Sequence, residues 1–263
     1  MSNYSYERDS KNNLTKKVVF HKFKMEKDGV DFHFTPPQIT VGTSFNIDHR
    51  YNYHIKEMFN DHQNNIHIYQ ISMYSVNRDI SVSSKTSDTE KLENVDEIHY
   101  WLSIHDNKLW CATTIKSYPT TKALEKIFDK VFNKKLTFQH LPNQDILDEI
   151  QKHGIRSYSV IDEVDISRLP SNSLIDKFKS LKDTLTTRIV ITNSSNNNIL
   201  SDIKIDDDVI DALDDESFFV LKNGTKINGG TIKKTQSVYF REFLTTHSVD
   251  FSSMKECLLD LWS

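Results

Sequence analysis

The sequence contains few of the residues that mark unusual protein classes. It has only two cysteines in 263 residues, Cys111 and Cys257, too few for a disulfide framework and without the spacing of a zinc knuckle. We expect both to be buried or half-buried thiols in a reducing compartment. No run approaches the roughly 18 apolar residues of a membrane span, and the N-terminus lacks the apolar stretch of a secretory signal. The sequence therefore predicts a soluble, cytoplasmic protein.

Recognisable catalytic motifs are also missing. The sequence has no G-x-S-x-G elbow, no G-x-G-x-x-G fingerprint and no paired cysteine or histidine metal motif. The densest histidine group contains two pairs, His49 with His54 and His62 with His67. The residues of each pair are five positions apart, so on a helix they diverge by about 140° and do not share a face that could bind a metal. Residues 224–231 superficially resemble a phosphate-binding loop, but Gly230 stands where its lysine belongs. We therefore predict no catalytic residue, no metal site and no cofactor.

One short motif favours an enzyme instead. Asp202-Ile203-Lys204 matches the acid-x-lysine element with which many nucleases hold a divalent metal and activate water. Such chemistry needs a second carboxylate on the preceding strand, and the segment from Arg188 to Thr192 has none. A metal-dependent nuclease or toxin is kept as an alternative.

The composition is that of a folded protein without an overall basic charge. Hydrophobic residues make up 37% and aromatic residues 11%, which is too many aromatics for a disordered chain. The formal net charge is −4, and the isoelectric point is near 6.3. Any binding to nucleic acid must therefore come from a local patch rather than from the field of the whole molecule.

Charge is distributed very unevenly between residues 202 and 241. The segment 202–216 has eight acidic residues and one lysine, whereas the segment 218–241 has five basic residues and no acidic one. Three of the six glycines, Gly224, Gly229 and Gly230, lie in the basic segment, where the backbone can turn tightly or approach a ligand. A polyanion is the candidate ligand.

The basic segment predicts a hairpin followed by a helix. Asn223-Gly224 is a turn signal that would place Lys222 and Lys226 near the tip, and a helix over Gln236–Leu244 would follow. The candidate nucleic-acid-binding residues are Lys222, Lys226, Lys233, Lys234, Tyr239 and Arg241. The alternative is an ordinary solvated basic hairpin.

The acidic segment has two interpretations. Asp206, Asp207 and Asp208 suit the start of a helix, where negative charge is favourable. Alternatively, the segment is an intramolecular cover that competes with polyanions for the basic hairpin. Adjacency in sequence makes the second arrangement geometrically feasible.

Alternating apolar patterns and helical spacing together predict an α+β protein, with mixed or antiparallel sheets, flanking helices and a C-terminal basic hairpin followed by helices. We expect a flexible tail over 1–15, an N-terminal α+β domain over 16–134 and a C-terminal α+β domain over 135–263. The expected helices are Arg50–Gln63, one opened by Pro119 and Thr120, Asp145–His153, Ser171–Lys182, a short acidic helix, Gln236–Leu244 and Ser252–Trp262. The expected strands are Val18–Met25, Val30–Phe34, Ile66–Tyr74, Ile98–Ile104, Lys108–Ile115, Leu136–His140, Ile155–Asp165, Arg188–Thr192 and Phe218–Lys222. Asn77–Glu97 is the longest expected loop.

One segment resembles a known family. Residues 100–114, YWLSIHDNKLWCATT, followed by Tyr118-Pro119-Thr120-Thr121 and a helix, are similar to the hairpin, Pro-Thr-Thr junction and helix of RexA-like phage-exclusion proteins of lambdoid prophages. The order of elements near the C-terminus is also similar. This resemblance implies an intracellular, DNA-binding, homodimeric sensor of phage infection that works with a separate membrane effector.

We therefore expect a cytoplasmic α+β binding protein of an antiphage or prophage-exclusion system that contacts DNA with little sequence preference and without catalysis. Two alternatives stay open: the nuclease or toxin of an abortive-infection system, and an adaptor subunit whose partners are only proteins. Salt-dependent retention of DNA distinguishes the binding protein from the adaptor, and magnesium-dependent cleavage distinguishes the enzyme from both.

Overall fold

The computed structural model describes residues 3–9, 11, 14–48, 51–75, 80–83, 89–92, 96–113, 120–163, 186–192, 205, 209–210, 213, 217–241 and 249–263. Its strands are β1 (Tyr4–Ser5), β2 (Leu14–Lys27), β3 (Val30–Asp31), β4 (Ser44–Asn46), β5 (Tyr51–Asp61), β6 (Ile66–Ser75), β7 (Ile80–Ser83), β8 (Thr89–Leu92), β9 (Asp96–His105), β10 (Lys108–Thr113), β11 (Thr137–His140), β12 (Ile155–Glu163), β13 (Thr186–Thr192), β14 (Phe218–Leu221), β15 (Lys226–Asn228) and β16 (Thr235–Arg241). Its α-helices are α1 (Thr121–Val131), α2 (Gln144–His153) and α3 (Phe251–Asp260). The strand pairs between these described strands are antiparallel, which confirms the α+β class.

The chain forms two compact units. The first contains residues 1–141 and 235–263, and the second contains residues 142–234. The predicted C-terminal domain, 135–263, differs from this division because residues 235–263 lie in the first unit. Strand β16 pairs with β2 and helix α3 packs against β6, so the end of the chain belongs to the sheet that its beginning forms.

The first unit is built on one large sheet with the strand order β1-β16-β2-β10-β9-β6-β5-β4. The long strand β2 organises it: β10 pairs along one edge, and β16 and then β11 pair along the other. Alternate residues of β2 point to opposite faces. Phe23 and Met25 belong to the core on one face, whereas Val18 and Phe20 belong to the core on the other.

Helix α1 covers one face of this sheet. Thr120 caps its N-terminus, since the hydroxyl accepts a hydrogen bond from the amide of Ala123 at 3.2 Å. Helical spacing places four buried residues on the inner side of α1: Leu124, Ile127, Phe128 and Val131. The predicted helix that Pro119 and Thr120 open is confirmed.

Helix α3 covers the opposite face. Met254, Cys257 and Leu258 pack into a second core cluster that contains Trp101 and Trp110 of the sheet. Beyond the helix, the Trp262 indole N–H donates a hydrogen bond of 2.8 Å to the Ser103 hydroxyl. Cys111 and Cys257 are both free and buried, as the sequence predicts.

The second unit has a separate four-stranded sheet in the order β13-β12-β14-β15. Its core contains Ile150 from α2, Ile155 from β12 and Phe219 and Leu221 from β14. Tyr158 lies directly opposite Phe219 in the register, and the two rings stack with centroids 4.8 Å apart.

Two predicted helices are strands in the structure. The segment expected to be a helix over Arg50–Gln63 contains β5, in which a register shift between Ile55 and Glu57 interrupts the alternation and gives the apolar residues a helix-like spacing. The segment expected to be a helix over Gln236–Leu244 contains β16, because pairing with β2 along its whole length outweighs local preference.

Other sequence-based predictions have mixed outcomes. The predicted strands Ile98–Ile104 and Lys108–Ile115 correspond to β9 and β10, which pair as a hairpin as far as Thr113, and β6 pairs with both β5 and β9. The long loop predicted over 77–97 contains the paired strands β7 and β8. The predicted helix over 171–182 lies outside the described residues.

His67 is a buried titratable group in the first unit. It is only 2% exposed, and its ring nitrogens lie 2.9 Å from the Asn60 side-chain oxygen and 3.2 Å from that of Asn65. Burial lowers the pKa of His67 below the ordinary value of 6.5, and the nearby His62 and His105 lower it further.

We expect His67 to make folding less favourable at low pH. Because the folded pKa is lowered, its contribution to stability is complete above about pH 6.5 and falls as the pH drops toward the folded pKa. Thermal unfolding between pH 8 and pH 5 checks this against His67→Gln, which should lose part of the acid sensitivity. Equal acid sensitivity in the wild-type protein and in His67→Gln would contradict a lowered pKa of His67 in the folded protein.

Candidate nucleic-acid interface

Strand β16 places Tyr239 and Arg241 on one face of the large sheet. Val238 and Phe240 point to the opposite face, where both are fully buried in the α3-side core. Alternation along a strand puts Tyr239 and Arg241 on the other side, together with Ser237. The sequence TQSVYFR forms this strand because its alternate apolar residues are buried in the same core as the apolar residues of α3.

The neighbouring strand β2 adds a lysine to this face. Lys17 lies directly opposite Tyr239, and Val19 lies directly opposite Ser237. Directly opposite residues of an antiparallel pair project on the same side of the sheet. We call the group Lys17, Val19, Ser237, Tyr239 and Arg241 the sheet-face patch.

The sheet-face patch is accessible and basic. Lys17 and Arg241 are exposed, and Tyr239 is partly exposed. On the other side of Tyr239, the register places Ser5 of β1, which is small and uncharged. Neither Lys17 nor Arg241 forms an ion pair within the described part of the chain. The two positive charges are therefore available to an anionic ligand.

The patch is also held rigidly from behind. Val18, Val238 and Phe240 alternate with its residues and are buried beneath α3. Tyr239 and Val19 belong to neither core cluster of the first unit. Lys17 and Arg241 are thus exposed to a ligand and Tyr239 is partly exposed, while the backbone that presents them is fixed by burial on the opposite face.

Lys222 and Lys226 lie in a different unit, at the connection between β14 and β15. Gly224 has φ +88, a conformation that glycine adopts without strain, and its amide donates to the Leu221 carbonyl at 2.9 Å. Lys226 lies directly opposite Val220, and its ammonium lies 3.8 Å from the centroid of the Phe218 ring. Both lysines are exposed, so the connection presents two positive charges.

Lys233 and Lys234 follow a 3₁₀ turn, Gly229–Ile232, rather than lying on a helix. Asn228 caps this turn by accepting a hydrogen bond of 2.9 Å from the Gly230 amide. Lys234 is exposed and is the last residue of the second unit. The structure therefore places the six predicted residues on three backbone segments and brings Tyr239 and Arg241 together with Lys17.

Comparison with known proteins gives no relative for this chain. No family model matches it, and neither curated proteins nor solved structures give a significant match. The similarity of residues 100–121 to RexA-like proteins stays a prediction.

The acidic residues of segment 202–216 lie outside the described residues, as do Asp202 and Lys204 of the nuclease-like element. Ile210 and Leu213, the buried apolar residues of the same segment, pack in the core of the second unit. Within the described ranges, no group of three or more histidine, cysteine, aspartate or glutamate side chains is placed to hold a metal ion. The described helices include none that is long and apolar enough to cross a membrane.

Sequence reasoning missed Lys17 as a candidate binding residue. The residue lies more than two hundred positions before Tyr239, and only the β2–β16 pairing brings the two together. The signals in the sequence were the adjacent lysines Lys16 and Lys17 within an alternating apolar strand. Recognising TQSVYFR as a strand with buried Val238 and Phe240 would have indicated the same face.

Proposed function

We propose that this protein is a non-catalytic, cytoplasmic DNA-binding component of an antiphage or prophage-exclusion system. It contacts DNA with little sequence preference, senses infection and acts through a separate membrane effector. The resemblance of residues 100–121 to RexA-like proteins supports the biological setting. The sheet-face patch supports the binding activity.

The observation that carries the proposal is the placement of Lys17 directly opposite Tyr239, with Arg241 on the same side of β16. Lysine and arginine are the usual partners of phosphate oxygens, and such contacts orient a protein on DNA without reading its sequence. An adjacent tyrosine ring offers a surface to a sugar or base. The register positions around Tyr239, occupied by Ser5, Ser237 and Val19, add no negative charge that would repel phosphate.

The lysines of the β14–β15 connection form a second basic group. Lys222 and Lys226 are exposed on a turn that Gly224 permits. Each can contact a phosphate without reading a base, which fits sequence-tolerant binding. We assign these residues to DNA binding together with Lys233, Lys234 and the sheet-face patch.

The net charge of −4 affects both the affinity for DNA and its dependence on salt. Because the whole molecule repels a polyanion weakly, attraction depends on local phosphate contacts, which salt screens over about 10 Å at 0.1 M. Affinity is therefore modest and falls steeply with ionic strength. No base-reading helix is needed for such binding.

We further propose that the protein is a homodimer. β13 lies at one end of the described strand order of the second sheet, and Val190 and Ile191 of that strand are 55% and 49% exposed. Exposed apolar residues on a terminal strand favour pairing with another chain. Light scattering of the purified protein reads the mass directly, and a monomer at micromolar concentration would contradict this part of the proposal.

Salt titration of DNA binding tests the proposed function. We expect unrelated duplexes of equal length to bind with similar affinity, and the logarithm of the affinity to fall linearly with the logarithm of the salt concentration. Lys222→Ala with Lys226→Ala should weaken all duplexes alike and reduce the salt slope by about one for each phosphate that the variant no longer neutralises.

Three results would contradict the proposal. Strong preference for one sequence would require base contacts that the two basic groups do not supply. Cleavage of the same DNA in magnesium or manganese, abolished in Asp202→Ala, would replace the binding protein by a nuclease. The absence of DNA retention even at low salt would favour the adaptor with protein partners only.

A further inference from the structure

We propose that the sheet-face patch prefers single-stranded DNA to duplex DNA, with Tyr239 stacking on an unpaired base while Lys17 and Arg241 contact the flanking phosphates. This inference rests on the proposed DNA-binding function and names the form of DNA that the patch recognises. It follows from the position of one partly exposed aromatic ring among its neighbours on the sheet face away from α3.

The neighbours of Tyr239 on this face leave its side chain partly exposed. Ser5 lies opposite it on β1 and Lys17 lies opposite it on β2, while Ser237 precedes it by two residues on the same strand. Side chains on a sheet stand roughly perpendicular to it. Two serines are too short to cover a tyrosine ring and a lysine chain is flexible, so the part of the Tyr239 ring that is exposed can meet a ligand.

The two cations lie near Tyr239 in two different directions. Lys17 is one strand away from Tyr239, about 4.8 Å, and Arg241 is two residues along β16, about 6.7 Å. A register shift there skips Thr15 of β2 and sets Arg241 opposite the buried Leu14. Tyr239 thus has one long basic side chain across the strand pair and another along its own strand.

This combination suits a single strand better than a duplex. Proteins that bind single strands without sequence preference combine basic side chains along the backbone with aromatic rings on which bases stack. Every base has a flat face, so stacking is tolerant of sequence. The bases of a duplex are already stacked on one another and offer no face to Tyr239, so a duplex can use only the phosphate contacts.

The charge of the patch fits this ligand. Lys17 and Arg241 are exposed and form no ion pair within the described residues, and the neighbouring positions Ser5, Val19 and Ser237 are uncharged. The opposite face of β16 is buried under α3. A strand of DNA is therefore bound on the face away from α3.

The test compares an oligothymidine strand with a duplex of equal length, by fluorescence anisotropy at one low salt concentration. We expect the wild-type protein to bind the single strand more tightly, by roughly fivefold to a hundredfold for one stacked base. Tyr239→Ala should lose most of that preference and leave duplex affinity nearly unchanged. Tyr239→Phe, which retains the ring, should keep the preference.

Matched variants separate a structural effect from a stacking effect. Thr235→Ala changes a residue of the same strand outside the sheet-face patch and should leave both affinities unchanged. Tyr239→Leu keeps an apolar strand residue without an aromatic face, so it should behave like Tyr239→Ala even if the alanine variant folds poorly. Circular dichroism confirms that each variant is folded.

The outcomes distinguish this inference from the proposed function. Equal binding of single strand and duplex, or retention of the preference in Tyr239→Leu, overturns the inference while DNA binding stands. Failure of the wild-type protein to retain either DNA at low salt overturns both. A preference that Tyr239→Phe keeps and Tyr239→Leu loses supports stacking by the ring.

Discussion

Replacing Phe128 with alanine should lower the free energy of unfolding of the first unit by about 3–5 kcal/mol, the usual range for a buried phenylalanine. The residue is fully buried on α1. Its ring lies 4.8 Å from the rings of both Phe132 and Phe138 and 5.9 Å from that of Phe34, measured between centroids. Removing the ring leaves a cavity that these three neighbours, held on separate segments, can fill only in part.

This loss is large compared with the roughly 5–15 kcal/mol that stabilises a typical domain. Urea denaturation of the wild-type and variant proteins measures it from the shift in midpoint at constant slope. Lys126→Ala is the matched control, since it lies on the same helix with a side chain 49% exposed and a weak 3.9 Å ion pair with Asp48. A loss below about 1 kcal/mol in Phe128→Ala, no larger than in the control, would contradict the packing of α1 on the sheet.

Reversing both charges of the sheet-face patch should weaken DNA binding on the order of tenfold or more at low salt. The double variant Lys17→Glu with Arg241→Glu removes two phosphate-binding cations and adds two repulsive charges. Both residues are exposed, so the change should not disturb the core beneath them. The difference between variant and wild type should shrink as salt rises, because screening weakens the repulsion.

The control changes the net charge of the protein equally at another place. Lys108 lies at the β9–β10 turn and Lys122 in the first turn of α1, and both are exposed. Lys108→Glu with Lys122→Glu should weaken binding much less than the patch variant. Equal losses in the two double variants would mean that DNA responds to overall charge and that the patch is not an interface.

Local patterns predicted those parts of the fold whose partners are close in sequence. The stripe of Leu124, Ile127 and Phe128 is complete within α1, and the β9–β10 hairpin closes across His105-Asp106-Asn107, where Asp106 adopts φ 60. Helical spacing and a turn signal are sufficient in such cases.

Other elements depend on pairing that no local pattern contains. A register shift at Ile55 and Glu57 hides the alternation of β5. Strand β16 exists because β2, at the other end of the chain, pairs with it. The local sequence of both segments therefore resembles that of a helix, and only the strand pairing makes them strands.

The candidate interface was predictable only in part for the same reason. The basic segment 218–241 contains Arg241 and also Tyr239, which offers an aromatic ring. Lys17 lies far from this segment in the sequence, and only the β2–β16 pairing places it beside Tyr239. Conversely, proximity in sequence grouped Lys222 and Lys226 with Tyr239, although the two lysines belong to the second unit and Tyr239 to the first.

Photocrosslinking tests the central claim most directly. Single-stranded DNA carrying bromodeoxyuridine is irradiated in complex with the wild-type protein at low salt, and mass spectrometry locates the linked peptides. The sheet-face patch predicts crosslinks to the β16 peptide, centred on Tyr239, that excess salt abolishes. Crosslinks confined to peptides outside β2 and β16, or none in a complex that retains DNA, would contradict binding at this face.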